Sequence, residues 1–446
     1  MADTSIVGKS VSRADATQKV TGQVLHVGNL EMPGMLHVAV LRSPHPHARI
    51  LRIEKSRAES HEGVVAVVTG ADVAAMPGVD PYFGPAFRDQ PILALDRVLH
   101  VGDPVVAVAA ENLRSAQDAL ELVEVDYEPL PAVLDVLEAI RPESPVIHEE
   151  IRPALSFADL AHLRPPGKSN ICYHHKLRKG DLGKAFSEAD RIFDDTFTSP
   201  PSQHVPMEPH VTLAFVDENQ RLNVWSATQS PSFVRTELAN ILGLPMGRIR
   251  VRVPYLGGGY GAKVYVKLEP LVAILALITR RPVRYALSRE EEFQTITKHG
   301  VVFKLKTAVK AGLITGRQCR VYWDTGAYAE IGPRIVHKSG YTSAGPYRIP
   351  NVAIDSYCIY TNKPPAGAFR GFGVPQLIWA YESQMDIIAR ALGVDPVQFR
   401  MRYALDEGEP FATGTPVRSF GLRACIQEAA NAIGWSEQRP KTVGGK

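Results

Sequence analysis

Proline sets the first boundary in this chain. Between Pro129 and Lys168 the segments PLPAV, RPESPV and LRPPGK carry prolines too densely for a helix interior or a central strand, since each ring fixes φ and removes a backbone donor. Such a stretch reads as an interdomain linker and divides the 446 residues into two units. The expected division is residues 1–140, a linker over 141–169, and 170–446. With 45% hydrophobic residues the chain is able to bury more than one core.

Each unit mixes strand and helix patterns, so the expected class is α+β. Before the linker, MLHVAVLRS, VVAVVTG and PVVAVAA are short β-branched runs, LRSAQDALELV has helical spacing, and VEVDYEP is strand-like again. After it, HVTLAFVD and RLNVWSATQ lead into SPSFVRTELANILG, where Ser230 is placed to cap, Pro231 suits the first turn and Gly243 stops the helix. Strand and helix meet at Gln229. The plan then repeats: Arg248–Leu256 alternates as a strand, GGGYGAK follows, and EPLVAILALITRR supplies an apolar helix.

Bulk properties remove several function classes. A net charge of +3 with scattered basic residues argues against nucleic-acid and membrane-surface binding. Cys172, Cys319, Cys358 and Cys425 lack CxxC spacing, so this chain alone ligates neither zinc nor an iron–sulfur cluster, and the four are expected to be buried, reduced thiols. The N-terminus has no apolar leader and no run near the length of a membrane span, which makes a cytoplasmic location the expectation.

Two loops carry chemistry. In Gly257–Lys263 the glycines permit positive φ and close backbone approach, either to cradle an oxyanion on free amides or only to make a tight turn. Lys263 is followed by Val264 rather than Ser or Thr, which sets aside a phosphate loop, and no dinucleotide fingerprint is present. In Thr361–Gln376 (TNKPPAGAFRGFGVPQ), Ala368, Phe369, Arg370, Gly371 and Phe372 set one cation and two aromatics beside exposed amides. That loop either orients an aromatic or carbonyl substrate or anchors the core with its arginine paired to a carboxylate. His204, Glu208 and His210 have the types of a zinc site, but packing is the better reading for them.

Together and in this order, GGGYGAK and GAFRGFGVPQ resemble the loops GGGFGGK and AFRGFGGPQ of the xanthine dehydrogenase/aldehyde oxidase family of molybdenum hydroxylases. The resemblance runs along nearly the whole chain. Residues 15–135 look like the family's a/b hammerhead domain, and residues 170–436, with KGDLGKAFSEAD, QHVPMEPH, SATQSPSFVR, SREEEF and YRIPN, look like its first molybdopterin-binding domain. The resemblance implies that Gln229 bonds an oxygen ligand of molybdenum. It also implies that Gly258, Gly259, Tyr260 and Gly261 approach the metal's oxo group and the pterin, with Tyr260 standing where the family has Phe. Ala368, Phe369 and Arg370 would lie beside the cofactor, and Phe372 would stack on a ring substrate. Metal ligation would come from the pterin dithiolene and from no side chain of this chain.

The family's catalytic glutamate sits in a GEP-type motif near the end of a second cofactor domain, which the resemblance does not reach, so a split enzyme is expected, as in heteromeric nicotinate dehydrogenases, with truncation of a longer chain as the alternative. A second molybdopterin-binding subunit would carry the glutamate. A 2Fe-2S subunit and an FAD subunit would carry electrons away, and the pterin nucleotide, cytosine dinucleotide or another, stays open. The implied reaction is hydroxylation of an aromatic N-heterocycle or an aldehyde with water as oxygen source. A hydroxybenzoyl-CoA-reductase-type enzyme and a non-catalytic cofactor-binding scaffold remain as alternatives. Val264 replaces the glutamate of purine-oxidising relatives, which disfavours xanthine. His337 and Lys338, upstream of YRIPN, offer a cation for a carboxylate.

Overall fold

Alternating and continuous β-branched runs become strands, and their pairing joins the two halves of the chain. The computed structural model describes residues 6–154, 157–164 and 167–435. Its larger sheet has seven strands, in spatial order Ile249–Arg252, Leu222–Ser226, Val211–Val216, Val283–Ala286, Leu36–Arg42, Pro104–Ala110 and Val64–Thr69. The last three come from the N-terminal unit. Leu36 and His37 pair in parallel with Val283 and Arg284, so one sheet crosses from one unit into the other. Pro104–Ala110 is paired on both sides, with Leu36–Arg42 and Val64–Thr69, and buried from Val105 onward, which explains its unbroken apolar run.

The second sheet has five strands, ordered Ile171–Lys179, Asn351–Tyr360, Leu313–Gly326, Gly300–Lys310 and Arg191–Ser199. Helix Gly332–Thr342 packs on its first two strands, and helix Val374–Ala391 packs on its last two. Helix Glu269–Thr279 lies against the larger sheet with Leu271, Val272, Ile274 and Leu275 buried, each worth about 1.5–3 kcal/mol of transfer free energy.

The proline-rich stretch is packed rather than free over its described residues, with Pro165 and Pro166 of LRPPGK lying outside them. Val133, Val136 and Ala139 form a small cluster with Ile359, Ile147, Phe157, Leu160 and Leu163 enter the main core, and Arg152–Pro153 pairs with Phe87–Arg88. No helix among the described residues is long and apolar enough to cross a membrane.

Several local expectations change. Ser230 does not cap helix Pro231–Leu242 with its side chain, because its φ of −140° and ψ of 70° leave the cap geometry; its amide donates to Thr228 Oγ1 at 3.1 Å. Gly243 does end that helix, at φ 61°. The strand expected over Arg248–Leu256 is confined to Ile249–Arg252, since pairing with Leu222–Trp225 ends before Pro254. Cys425 is exposed, not buried: helix Leu422–Ala432 has no buried residue and lies on the surface. The sequence from Glu437 onward lies outside the described residues.

Candidate functional site

The glycine turn departs from the larger sheet after Ile249–Arg252 and reaches helix Glu269–Thr279 only after an irregular passage, so its amides do not belong to that helix's first turn. Gly258 and Gly261 have φ of 97° and 112°, and Tyr260 takes φ 54°, a left-handed geometry that a bulky residue holds only when its surroundings enforce it. The enforcement is visible. The Gly261 amide donates to Gln229 Oε1 at 2.9 Å, the Gln229 amide donates to the Lys263 carbonyl at 2.8 Å, and the Tyr260 carbonyl accepts from the Arg370 amide at 2.8 Å. A methyl group on Gly261 would lie 2.3 Å from the Ala368 carbonyl oxygen, which shows how closely the two loops approach. Thus the two sequence motifs, far apart in the chain, form one joint.

A third segment supports it from behind. The Lys263 ammonium is buried and donates to the Glu208 carbonyl at 2.7 Å and to Glu208 Oε2 at 3.1 Å, while the Gly257 amide donates to the same carboxylate oxygen at 2.8 Å. Burial pushes the Lys263 ammonium below the usual lysine range, with Glu208 opposing. His204 stacks on Phe369 with centroids 4.5 Å apart and donates from Nε2 to the Ala368 carbonyl at 2.7 Å. Burial lowers its imidazole to about 4, so it is neutral. His210 turns away, bonding Glu292 at 2.8 Å and the Ala262 carbonyl at 3.2 Å. His204, Glu208 and His210 therefore have three different partners and are packing residues.

Beyond Ala368 the loop turns through Phe372, again at positive φ, 56°. Its ring packs on Ile331, Ile335 and Ala368, and the Lys338 ammonium stands 5.5 Å from the ring centroid. His337 faces elsewhere: its Nδ1 is 3.0 Å from the Tyr173 hydroxyl and its ring is edge-on to His175. The expected pair is thus divided, Lys338 joining Phe372 and His337 leaving. Val264 is half-buried at the end of the turn, its amide donating to the Gly261 carbonyl at 3.1 Å.

Arg370 is exposed and forms no ion pair among the described residues, against the alternative in which it anchors the core through a carboxylate. It lines a cleft of about 260 Å³ with Lys298, Phe369, Gln376 and Trp379. Sequence reading gave Glu208 a packing place but missed its tie to Lys263, and it missed the buried Lys267–Glu330 pair, 3.1 Å apart, whose Glu330 lies beside Gly367. Neither pairing has a sequence signal, since the partners are 55 and 63 residues apart.

The amides of Gly258, Gly259, Tyr260 and Gly371 find no acceptor among the described residues. Gln229, Tyr260, Arg370 and Gly371 are exposed, Gly258 is half-buried and Gly259 lies behind them, a donor set that fits an oxygen-rich anionic cofactor. Residues 163–404 match the model of the molybdopterin cofactor-binding domain, and residues 21–131 match that of the aldehyde oxidase and xanthine dehydrogenase a/b hammerhead domain.

The chain belongs to the xanthine dehydrogenase/aldehyde oxidase family of molybdenum hydroxylases. It is similar to the nicotinate dehydrogenase large molybdopterin subunit of Eubacterium barkeri, with 34% identity over 96% of both chains. It shares 31% identity with the 6-hydroxypseudooxynicotine dehydrogenase complex subunit gamma of Paenarthrobacter nicotinovorans, covering 97% of this chain and 55% of that one. Among solved structures, quinoline 2-oxidoreductase from Pseudomonas putida 86 superposes with a TM-score of 0.85 at 30% identity, over 96% of this chain and 54% of that one. Aldehyde oxidoreductase from Desulfovibrio gigas gives 0.87 at 27%, over 98% and 48%. This molybdenum-hydroxylase chain therefore spans nearly all of one relative and about half of the others.

Proposed function

We propose that this chain is the cofactor-holding subunit of a cytoplasmic, multi-chain molybdenum hydroxylase that oxidises an aromatic N-heterocycle bearing a carboxylate. The observation that carries the substrate class is Lys338 set over the face of Phe372, beside the glycine joint. A ring stacked on Phe372 would have its carboxylate within reach of the ammonium. An aldehyde remains the second substrate class, since Val264 adds no charge that would demand a heterocycle.

The molybdenum cofactor, when bound, supplies a two-electron sink and an oxygen that originates from water. Gln229 and the amides of Gly258, Gly259 and Tyr260 would hold and orient it, and Arg370 would neutralise part of its charge. Phe372 would fix the angle of the ring, and Lys338 its in-plane rotation. The proton acceptor would be a glutamate on a second molybdopterin-binding subunit. That placement is supported by the exposure of Gln229, Tyr260 and Arg370 and by the full-length likeness to a subunit of a split enzyme. Electrons would leave through a 2Fe-2S subunit and then an FAD subunit. The working division of the chain into residues 1–140, 141–169 and 170–446 belongs to the same proposal.

The test is kinetics of the complex purified with its partner chains, with nicotinate and benzaldehyde as substrates. Lys338→Met is expected to raise KM for nicotinate by about tenfold, the loss of one charge-assisted contact, and to leave benzaldehyde unchanged. Equal effects on both substrates would sink the assignment of the carboxylate to Lys338. Turnover by this chain in the absence of any partner would sink the split site.

A further inference from the structure

Helix Val374–Ala391 packs one face on the second sheet and turns the other to solvent. The outward face of a surface helix is ordinarily polar, yet its first turns present Pro375, Ile378 and Trp379, the last two 42% and 48% exposed. The indole stands edge-on to Phe197, with centroids 5.6 Å apart, and borders the cleft of about 260 Å³ that also contains Arg370. Backbone pairing fixes this cleft to the glycine joint. The Arg370 amide donates to the Tyr260 carbonyl, and Thr297–Lys298 pairs in parallel with Ala366–Gly367, directly before Ala368. The apolar patch therefore continues from the donor set around Gln229 and Tyr260.

The cleft carries charge of one sign. Half-buried Lys298 lines it, its ammonium donating to Ser199 Oγ at 3.3 Å and forming no ion pair among the described residues. Burial pushes that ammonium below the usual lysine range, with no carboxylate opposing. Arg370 is likewise unpaired, and no aspartate or glutamate lines the cleft. Lys263 and Lys267, the buried lysines of the same region, each have a glutamate at 3.1 Å. An exposed indole beside a half-buried cation with room for a counter-charge is the composition of a binding hot spot between proteins.

We propose that this patch is the docking surface of the second molybdopterin-binding subunit, which covers Trp379 with apolar side chains and sets a carboxylate between Lys298 and Arg370. Such docking presupposes the split enzyme proposed above and fixes where its two chains meet. A second copy of this chain does not fit, because two-fold pairing sets the patch against itself and brings these cations against their own counterparts. A chain that delivers a proton acceptor to Gln229 and Tyr260 has to pass the Arg370 loop, which is bonded to Tyr260, and so reaches the cleft. Its carboxylate then neutralises Lys298 and shares Arg370 with the cofactor.

The experiment uses the complex purified with its partner chains, the second molybdopterin-binding subunit being identified by peptide mass spectrometry. A water-soluble carbodiimide, which joins an amine to a carboxylate in direct contact, is expected to link Lys298 to an Asp or Glu of that subunit. Mass photometry on dilution measures the dissociation constant of the subunit. Lys298→Met and Trp379→Ala are each expected to raise it about thirtyfold, and Lys298→Arg to change it by less than about threefold. The salt dependence of assembly should flatten in Lys298→Met. Circular dichroism checks the fold of each variant, and the cross-link on the unaltered complex decides the matter if one fails to fold. A Lys298 link to the iron–sulfur chain or to a second copy, no link at all, or an unchanged dissociation constant in both folded variants would overturn the docking surface and leave the split enzyme standing. A purified complex that turns over substrate with no second molybdopterin-binding subunit would overturn both.

Discussion

At Gly259 an added methyl group would lie 2.5 Å from Gln229 Oε1, the end of a flexible side chain, whereas at Gly261 it would lie 2.3 Å from a backbone carbonyl oxygen, at φ 112°. The two replacements should fail differently. Gly259→Ala is expected to displace Gln229 and free the Gly261 amide at a cost under about 1 kcal/mol, because the side chain has room to rotate on the exposed face. Gly261→Ala adds a strained φ to a backbone collision and should cost at least about 3 kcal/mol. Urea unfolding checks both. Faster hydrogen exchange at the Gly261 amide in a stable Gly259→Ala protein would show the displacement directly, and unchanged exchange would contradict it.

Among the elements, the buried ammonium of Lys263 ties the glycine turn to the segment holding Glu208, whose side chain is only 11% exposed. Lys263→Met strands that carboxylate and should cost about 3–5 kcal/mol. Adding Glu208→Gln should recover a large part of the loss, since a neutral amide keeps an acceptor for the Gly257 amide without needing a cation. Additive costs in a double-mutant cycle would rule out the coupling. The turn itself was legible, because a short strand, clustered glycines and an apolar helix occur in order. The tie was not, because Glu208 and Lys263 are 55 residues apart and no periodicity links them. The same limit divides His337 from Lys338: neighbours on a helix point about 100° apart, so which of the two meets Phe372 depends on how the helix is rotated against the second sheet. Ser230 shows a third kind of limit, a residue of good capping type whose backbone, at φ −140° and ψ 70°, does not take the capping geometry.

Across the whole molecule, titratable groups buried where sheets and connecting segments meet set how stability responds to acid. Burial holds His148, His175 and His204 at about 4 and His299 at about 3, all below the unfolded value near 6.5. From pH 6.5 downward the unfolded chain binds protons that these rings refuse, so their contribution to stability falls until about pH 4, and for His299 about pH 3. Asp89 acts in the opposite sense. Burial raises its carboxyl to about 7, although the Ala329 amide and the Tyr360 hydroxyl both donate to it, so between its unfolded value near 4 and pH 7 the folded chain holds a proton that the unfolded chain has lost. Stability from Asp89 therefore grows as pH falls through that window and partly offsets the histidines. Asp89→Asn keeps an acceptor for both donors but removes the titration. Its unfolding free energy should fall more steeply between pH 6.5 and 4, by about one proton or about 1.4 kcal/mol per pH unit, and the variant should be the more stable protein above pH 7. Urea titrations at half-unit pH steps measure the two slopes. Parallel curves for the variant and the parent would mean that Asp89 is ionised in the fold throughout this range, and that the junction between the N-terminal strands and the second sheet accommodates a buried charge there.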